Sequence, residues 1–179
     1  GTYISSDLVS SMRPEAINPL LDTDFFVDQL YDFIDEIGIP MISSTHSRYV
    51  VDLNRPANPE QTLYNDGRNA TSVVPLSTFD GEPIYTSKDH LPNAKQVESR
   101  ISRYYWPYHH ELHSLITEMQ TNYGQVLVFD AHSIRRNVPK IHQNPFADLI
   151  VGDNDQSSCA GLISEVLLNS LSQAKGFDT

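Results

Sequence analysis

Three groups of residues in this chain of 179 have types and spacing suited to chemistry. The first is Asn54-Arg55, which closes the valine-rich run Tyr49 to Leu53, with Arg48 just before that run. An amide beside a guanidinium offers a carboxylate a planar fork and an orienting hydrogen bond. The plainer alternative is a turn-forming Asn next to a surface Arg paired with Asp52. The second group is Asp130-Ala131-His132-Ser133, where polar residues begin abruptly after an apolar run. Imidazole is a common zinc ligand, and a neighbouring carboxylate such as Asp130 can orient it. A histidine after a strand can equally be structural. The third is an acidic pair, Asp22 and Asp24, at the start of an amphipathic stretch.

Other patterns fall short of a site. His110-Glu111-Leu112-His113 has its histidines three apart, whereas a zinc-protease helix needs four, with Glu directly after the first. His109 and His113 have the spacing but misplace Glu111, so a solvated helix face is the reading; His109 could still reach a substrate. Asp153-Asn154-Asp155 resembles the opening of a calcium loop, but Ser164 stands where the bidentate Glu should be. Asn69-Ala70-Thr71 is a glycosylation sequon and is read as incidental. Cys159 has no motif around it and reads as a small buried residue.

The elements that must position these residues follow from periodicity. Residues 1 to 21 read as an irregular approach to a helix that begins at Asp22-Thr23-Asp24, capped by Thr23 or Asp22. Phe26, Leu30, Phe33, Ile34 and Ile37 recur at helical spacing, and Gly38 is its stop. Ile39 to Ser43, Tyr49 to Leu53 and Gln125 to Asp130 read as strands. Between Pro56 and Asn93 lies a proline-rich surface excursion containing the turn Asp80-Gly81-Glu82-Pro83. Val97, Ile101, Tyr105, Tyr108, Leu112, Ile116 and Met119 mark a long helix that Pro107 should kink or divide and Gly124 should end. A last helix over about 158 to 173 is expected to bury Leu162, Ile163, Val166, Leu167 and Leu171. Helices alternating with apolar strands predict a single α/β domain over residues 1–179, with a mixed central sheet flanked by helices. Strands at Tyr49 to Leu53 and Gln125 to Asp130 are expected to end at one edge of that sheet.

Composition bounds the partners. Twelve Lys and Arg against 23 Asp and Glu give a net charge of -11, which opposes nucleic acid or an anionic membrane surface as a partner. The apolar runs are far below the roughly 20 residues a bilayer needs. A single cysteine excludes an internal disulfide and fits a reducing compartment, and no signal segment is visible, so a cytoplasmic location is expected.

Five stretches, DTDFFVDQLYDF, SRYVVDLNRP, FDGEPIY, YYWPYHHEL and VLVFDAHSI, occur in this order over about residues 22 to 134. Together they resemble the N-formylglutamate amidohydrolases, a family similar in fold and site plan to the zinc carboxypeptidases and succinylglutamate desuccinylase. The resemblance implies a zinc-carboxypeptidase-like (phosphorylase/hydrolase-like) α/β fold. It also implies a zinc cofactor and hydrolysis of a small N-acyl amino acid, N-formyl-L-glutamate giving formate and L-glutamate. His132 would be a zinc ligand, and Asp24 another, with Asp22 its rival. Asn54 and Arg55 would hold a substrate carboxylate, and Arg48 a second carboxylate or the oxyanion. The family's first zinc histidine would precede Gly1 and its general-base Glu would follow Thr179, so the chain reads as a fragment. His46 stands where the related motif has tyrosine. A deacylase for another acyl group or amino acid, and a non-catalytic binding module of the same fold, remain the alternatives.

Overall fold

The computed structural model describes residues 1–58, 61 and 71–178. The sequon residue Asn69 therefore lies outside the described residues. The chain divides into two compact units, Gly1–Ile134 and Arg135–Thr179.

The first unit opens with two short helices, α1 (Ser6–Val9) and α2 (Pro14–Ile17), where an irregular approach was expected. Proline at the first position of α2 costs nothing, because its missing N–H would have no helical partner there. Met12, between these helices, is buried with Tyr49, Ile84 and Tyr85, and Ile4, Leu8, Ile17 and Leu20 pack around them. A second cluster joins Val51, Val73, Val74 and Tyr105, flanked by Leu53, Val97 and Ile101. Burying an aliphatic side chain of this kind contributes about 1.5 to 3 kcal/mol. The stretch from Ser47 to Asp52, which leads to Asn54-Arg55, is thus anchored in both clusters. Residues 71–85, expected on a surface excursion, instead supply much of the core: Val73, Val74, Ile84 and Tyr85 are all buried.

The expected α/β sheet is absent: the described residues contain no strand, only isolated bridges at Tyr3 with His46, Met12 with Tyr85 and Ser77 with Pro83. Tyr49 to Asp52 is buried as its valines require, and Leu53 half-buried, but the Val50 N–H turns back to the Ser47 carbonyl at 2.9 Å, which closes a turn instead of a ladder. Asp52 donates its N–H to the Val73 carbonyl at 2.7 Å, a contact with a loop. Residues 125–130 form no regular element and no ladder, and Leu127, Val128 and Phe129 are exposed. A buried strand needs neighbours on both edges to bond its backbone; no other described segment pairs with this one. The shared strand edge and the carboxypeptidase-like sheet are corrected accordingly.

The predicted helix after Asp24 is also reduced. A single turn, α3 (Val27–Leu30), passes into a 3-10 helix over Asp32–Ile37, and Gly38 ends it in the left-handed conformation (φ 69°) that favours glycine. Neither Asp22 nor Thr23 caps it; Phe26 precedes the first turn. Phe26, Leu30, Phe33 and Ile37 all stay exposed, so no buried face rewards a longer helix.

The long helix forms and is divided where proline demands. Asn93 and Gln96 make a reciprocal capping box at the start of α4 (Ala94–Arg100). A π-helical stretch, Ile101–Tyr105, leads into α5 (Trp106–Tyr123), with Pro107 in its first turn and Gly124 (φ 80°) at its end. No described helix is long and apolar enough to cross a membrane.

In the second unit, α6 (Gly161–Leu171) leaves Leu162, Val166 and Leu168 exposed, contrary to the buried face expected of it, and buries only Ser164. Asp153 is engaged by its own loop and by α6: Oδ1 accepts from the Gln156 N–H at 3.1 Å and Oδ2 from the Ser164 hydroxyl at 2.8 Å. Cys159 is half-buried, with its sulfur 3.3 Å from that hydroxyl.

Candidate active site

The segment 22–24 ties two clusters of polar side chains together, because its two aspartates serve different partners. Asp22 is buried. Its Oδ2 accepts hydrogen bonds from the Tyr49 hydroxyl at 3.0 Å and the Phe79 N–H at 2.7 Å, and lies 3.6 Å from Arg48 Nη1. Asp24 is half-exposed and faces His132: Oδ2 is 3.5 Å from Nδ1, and Oδ1 accepts the Ser133 N–H at 2.6 Å. Of the two rivals, Asp24 is the one brought to His132.

The arginine cluster is organised by Asp52. Arg48 donates from Nη2 to Asp52 Oδ2 at 2.6 Å, and its guanidinium covers the Phe79 ring at 4.0 Å. The other oxygen of Asp52 accepts the Asn54 N–H at 3.0 Å and so shapes the turn. Arg55 Nε sits 3.9 Å from Asp52 Oδ2 and donates to the Thr71 hydroxyl at 2.8 Å, while Nη1 donates to the Asn54 carbonyl at 2.7 Å. Asn54 is exposed. From the helix side, His109 Nε2 lies 3.0 Å from the Leu53 carbonyl, so this nitrogen carries the proton and braces the turn; the ring stacks on Tyr105 at 4.1 Å.

His132 is held between two carboxylates, with Nε2 3.0 Å from Asp130 Oδ2 on the side opposite Asp24. Asp130 first, and Asp24 after it, favour the charged ring and push its pKa up to about 10. Burial disfavours the Asp24 carboxylate, yet His132 and the Ser133 N–H outweigh it and hold its pKa below the usual value. Burial and the Asp130 charge together raise the Tyr108 phenol.

Zinc is implied by the family resemblance, and the donor geometry decides whether these residues suit it. Two ligands at about 2.0 to 2.2 Å in a tetrahedral shell sit roughly 3.3 to 3.6 Å apart. The 3.5 Å between His132 Nδ1 and Asp24 Oδ2 matches that span, and Asp130 on the other ring nitrogen is where an orienting carboxylate belongs. The donor pair therefore fits as two ligands. Among the described residues no group of three or more His, Cys, Asp or Glu side chains is placed to hold a metal ion.

A cavity of about 90 Å³ is lined by His46, Val51, Leu53, Tyr104 and Tyr108, with residues 43–45, and by none of the charged residues of the two clusters. His46 stacks on Tyr104 at 4.4 Å, and burial lowers its pKa. A larger open hollow of about 440 Å³ lies along Ser102, Trp106, Pro107 and His110 and includes none of these site residues.

The sequence model of the N-formylglutamate amidohydrolases matches residues 1–179. The chain belongs to this family. Among N-formylglutamate amidohydrolase relatives, the N-formylglutamate deformylase of Pseudomonas aeruginosa is 32% identical over 177 residues, covering 99% of this chain and 65% of that protein. The N-formylglutamate deformylase of Pseudomonas putida is 32% identical over 173 residues, covering 96% of this chain and 63% of that protein. The chain thus spans less than two thirds of the length of these curated relatives. No solved structure matches it significantly.

Several members of the site do not stand out in the sequence. Asp52 enters there only as a partner that would make Arg55 ordinary. Phe79 sits in the family-like FDGEPIY, which is its available signal. Thr71 carries no local signal at all, because its bond to Arg55 depends on a chain excursion whose path the sequence does not specify.

Proposed function

We propose that the protein is a zinc-dependent amidohydrolase that cleaves N-formyl-L-glutamate to formate and L-glutamate. The observation that carries the reading is the approach of Asp24 to His132 at a ligand-pair spacing; the turn held by Asp52 carries Asn54 and Arg55. Family membership and the names of the two relatives supply the substrate.

Asp24 and His132 would hold the zinc, with Asp130 keeping the proton on His132 Nε2 so that Nδ1 is the free donor. Bound zinc would acidify a water and polarise the formyl oxygen. Asn54 and Arg55 would bind one substrate carboxylate, the guanidinium in a charge-assisted pair and the amide as orienting donor. Arg48, placed between Asp22 and Asp52, would contribute positive charge for the second carboxylate or the oxyanion. Anchoring the carboxylates fixes where the amide carbon lies relative to the metal ligands, which lowers the entropic part of the barrier. The substrate is a small anionic N-acyl amino acid, and because Asp22 and Asp52 already balance Arg48, recognition would rest on the directed donors of Arg55 and Asn54 and not on a net positive field.

The test is formate release from N-formyl-L-glutamate by the purified protein, with zinc added and with chelator. Zinc-dependent turnover that favours this substrate over N-acetyl-L-glutamate is expected. Zinc-independent turnover would remove the metal from the reading, and turnover of the acetyl compound alone would replace the substrate.

A further inference from the structure

Among the described residues, Asp52 is the one carboxylate that touches both arginines and the turn between them. Three of its contacts reach the proposed carboxylate subsite: Oδ2 on Arg48 at 2.6 Å, Oδ2 facing Arg55 Nε at 3.9 Å, and Oδ1 under the Asn54 N–H at 3.0 Å. It is buried, and its own N–H is fixed to the Val73 carbonyl, so its position is set by the core and not by the substrate.

These contacts have unequal strengths. The 2.6 Å pair commits Arg48 to Asp52, and Phe79 and Asp22 close around the rest of that guanidinium, leaving Nη1 buried without a hydrogen bond among the described residues. Arg55 is restrained from further away. Its Nε is taken up by Thr71 and its Nη1 by the Asn54 carbonyl, while Nη2 has no hydrogen-bond partner among the described residues. An anion arriving at Asn54 therefore meets Arg55 already oriented.

We propose that Asp52 is the positioning residue of the carboxylate subsite: through one shared carboxylate it immobilises Arg48 and presents Asn54 and Arg55 to the substrate. This rests on the N-formylglutamate reading above and adds a role to it. Two effects of removing the Asp52 charge oppose each other. The local field becomes more positive, which attracts an anion, and the two guanidinium groups lose their common anchor, which spoils the fork. The anchor prevails in this geometry, because a bidentate arginine contact depends on alignment more steeply than on net charge.

Asp52→Asn separates these roles, since its amide oxygen can still accept the Asn54 N–H and keep the turn while the charge is lost. Steady-state kinetics with N-formyl-L-glutamate are compared in the wild type, Asp52→Asn, Arg55→Ala and the double variant, with calorimetric titration of N-formyl-L-glutamate in parallel. Asp52→Asn is expected to raise KM and Kd about tenfold, with kcat changed less than threefold. On the Arg55→Ala background it should cost no more than about twofold further, because Arg55 is the guanidinium that meets the substrate, Arg48 is closed in by Phe79 and Asp22, and the amide still holds the Asn54 turn. A tenfold cost that persists without Arg55, a fall in KM, or a loss confined to kcat would overturn the role. If titration shows this coupling while no turnover occurs, the enzymatic reading fails and the positioning role stands. Turnover without coupling removes the positioning role and leaves the enzymatic reading in place, and neither turnover nor binding removes both.

Discussion

His132 presents Nδ1 to Asp24 at 3.5 Å while Asp22, two residues before Asp24, turns its carboxylate the other way, onto Tyr49, Phe79 and Arg48. Two aspartates so close in sequence are thereby given different work: one faces a half-exposed imidazole, the other is sealed into the core. A short segment with diverging side-chain directions is enough to produce this division, and it makes the two residues separable by experiment.

Asp24→Asn should weaken zinc binding tenfold or more and change folding stability by less than about 1 kcal/mol, because its partner is half-exposed and such pairs are worth little. Asp22→Asn should do the reverse. Breaking a buried carboxylate network costs about 3 to 5 kcal/mol, and the loss should appear as a lower urea midpoint in zinc-free protein. Competition with a chromogenic chelator reads the metal. Wild-type zinc affinity in Asp24→Asn would withdraw it as a ligand.

If Asp24 and His132 hold zinc as proposed, the metal competes with a proton on His132, and the pKa pushed up to about 10 sets how that competition varies with pH. Below that value the metal-free ring is mostly charged, so each unit of rising pH makes neutral imidazole about tenfold more available. Apparent zinc affinity should still be climbing about tenfold per unit between about pH 7 and 9. In Asp130→Asn, which removes the largest cause of the raised pKa, the climb should level off at lower pH. Affinity already flat above about pH 7 in the wild type would show that Asp130 and Asp24 do not hold the ring charged.

The residues of the candidate site could be nominated from the sequence more readily than the fold that carries them. Asp24, Asn54, Arg55 and His132 lie in short stretches whose order marks the family, so their candidacy needed no knowledge of tertiary contacts. Pro107 and Gly124 act through the local backbone, and the division and end of the long helix follow from them directly. The sheet depended on something else. Val126 to Phe129 has the composition of a buried strand, but a ladder requires a second segment alongside, and no property of these residues indicates whether one is there. The helix expected after Asp24 failed similarly: Phe26, Leu30, Phe33 and Ile37 have the spacing, while the packed surface that would make α-helix preferable to a 3-10 turn is lacking among the described residues. Val73, Val74 and Ile84 erred in the other direction, being hidden among prolines that suggested a surface path.

Tyr85 and Arg100 offer a test of the core that does not involve the site. Both are buried, and Arg100 Nη1 donates to the Tyr85 hydroxyl at 2.9 Å and to the Tyr49 carbonyl at 3.5 Å. Burial raises the Tyr85 pKa above 10, with the Arg100 charge only partly offsetting it. Tyr85→Phe keeps the ring and removes the acceptor, so at about pH 7 it should cost about 1.5 to 3 kcal/mol, the value of a hydrogen bond to a charged group. The pH dependence has a definite sign. The folded protein holds the phenolic proton more tightly than the unfolded chain, so Tyr85's contribution is complete below about pH 10 and is lost as pH rises beyond it. The variant has no proton to lose there, and the raised Tyr105 and Tyr108 are common to both proteins and cancel in the difference. Urea midpoints at about pH 7, 9 and 10.5 should therefore show the gap between wild type and Tyr85→Phe constant over the first two and narrower at the third. A gap that widens above about pH 10 would mean that Arg100 favours the phenolate more than burial opposes it, and the assigned balance of those two effects would be reversed.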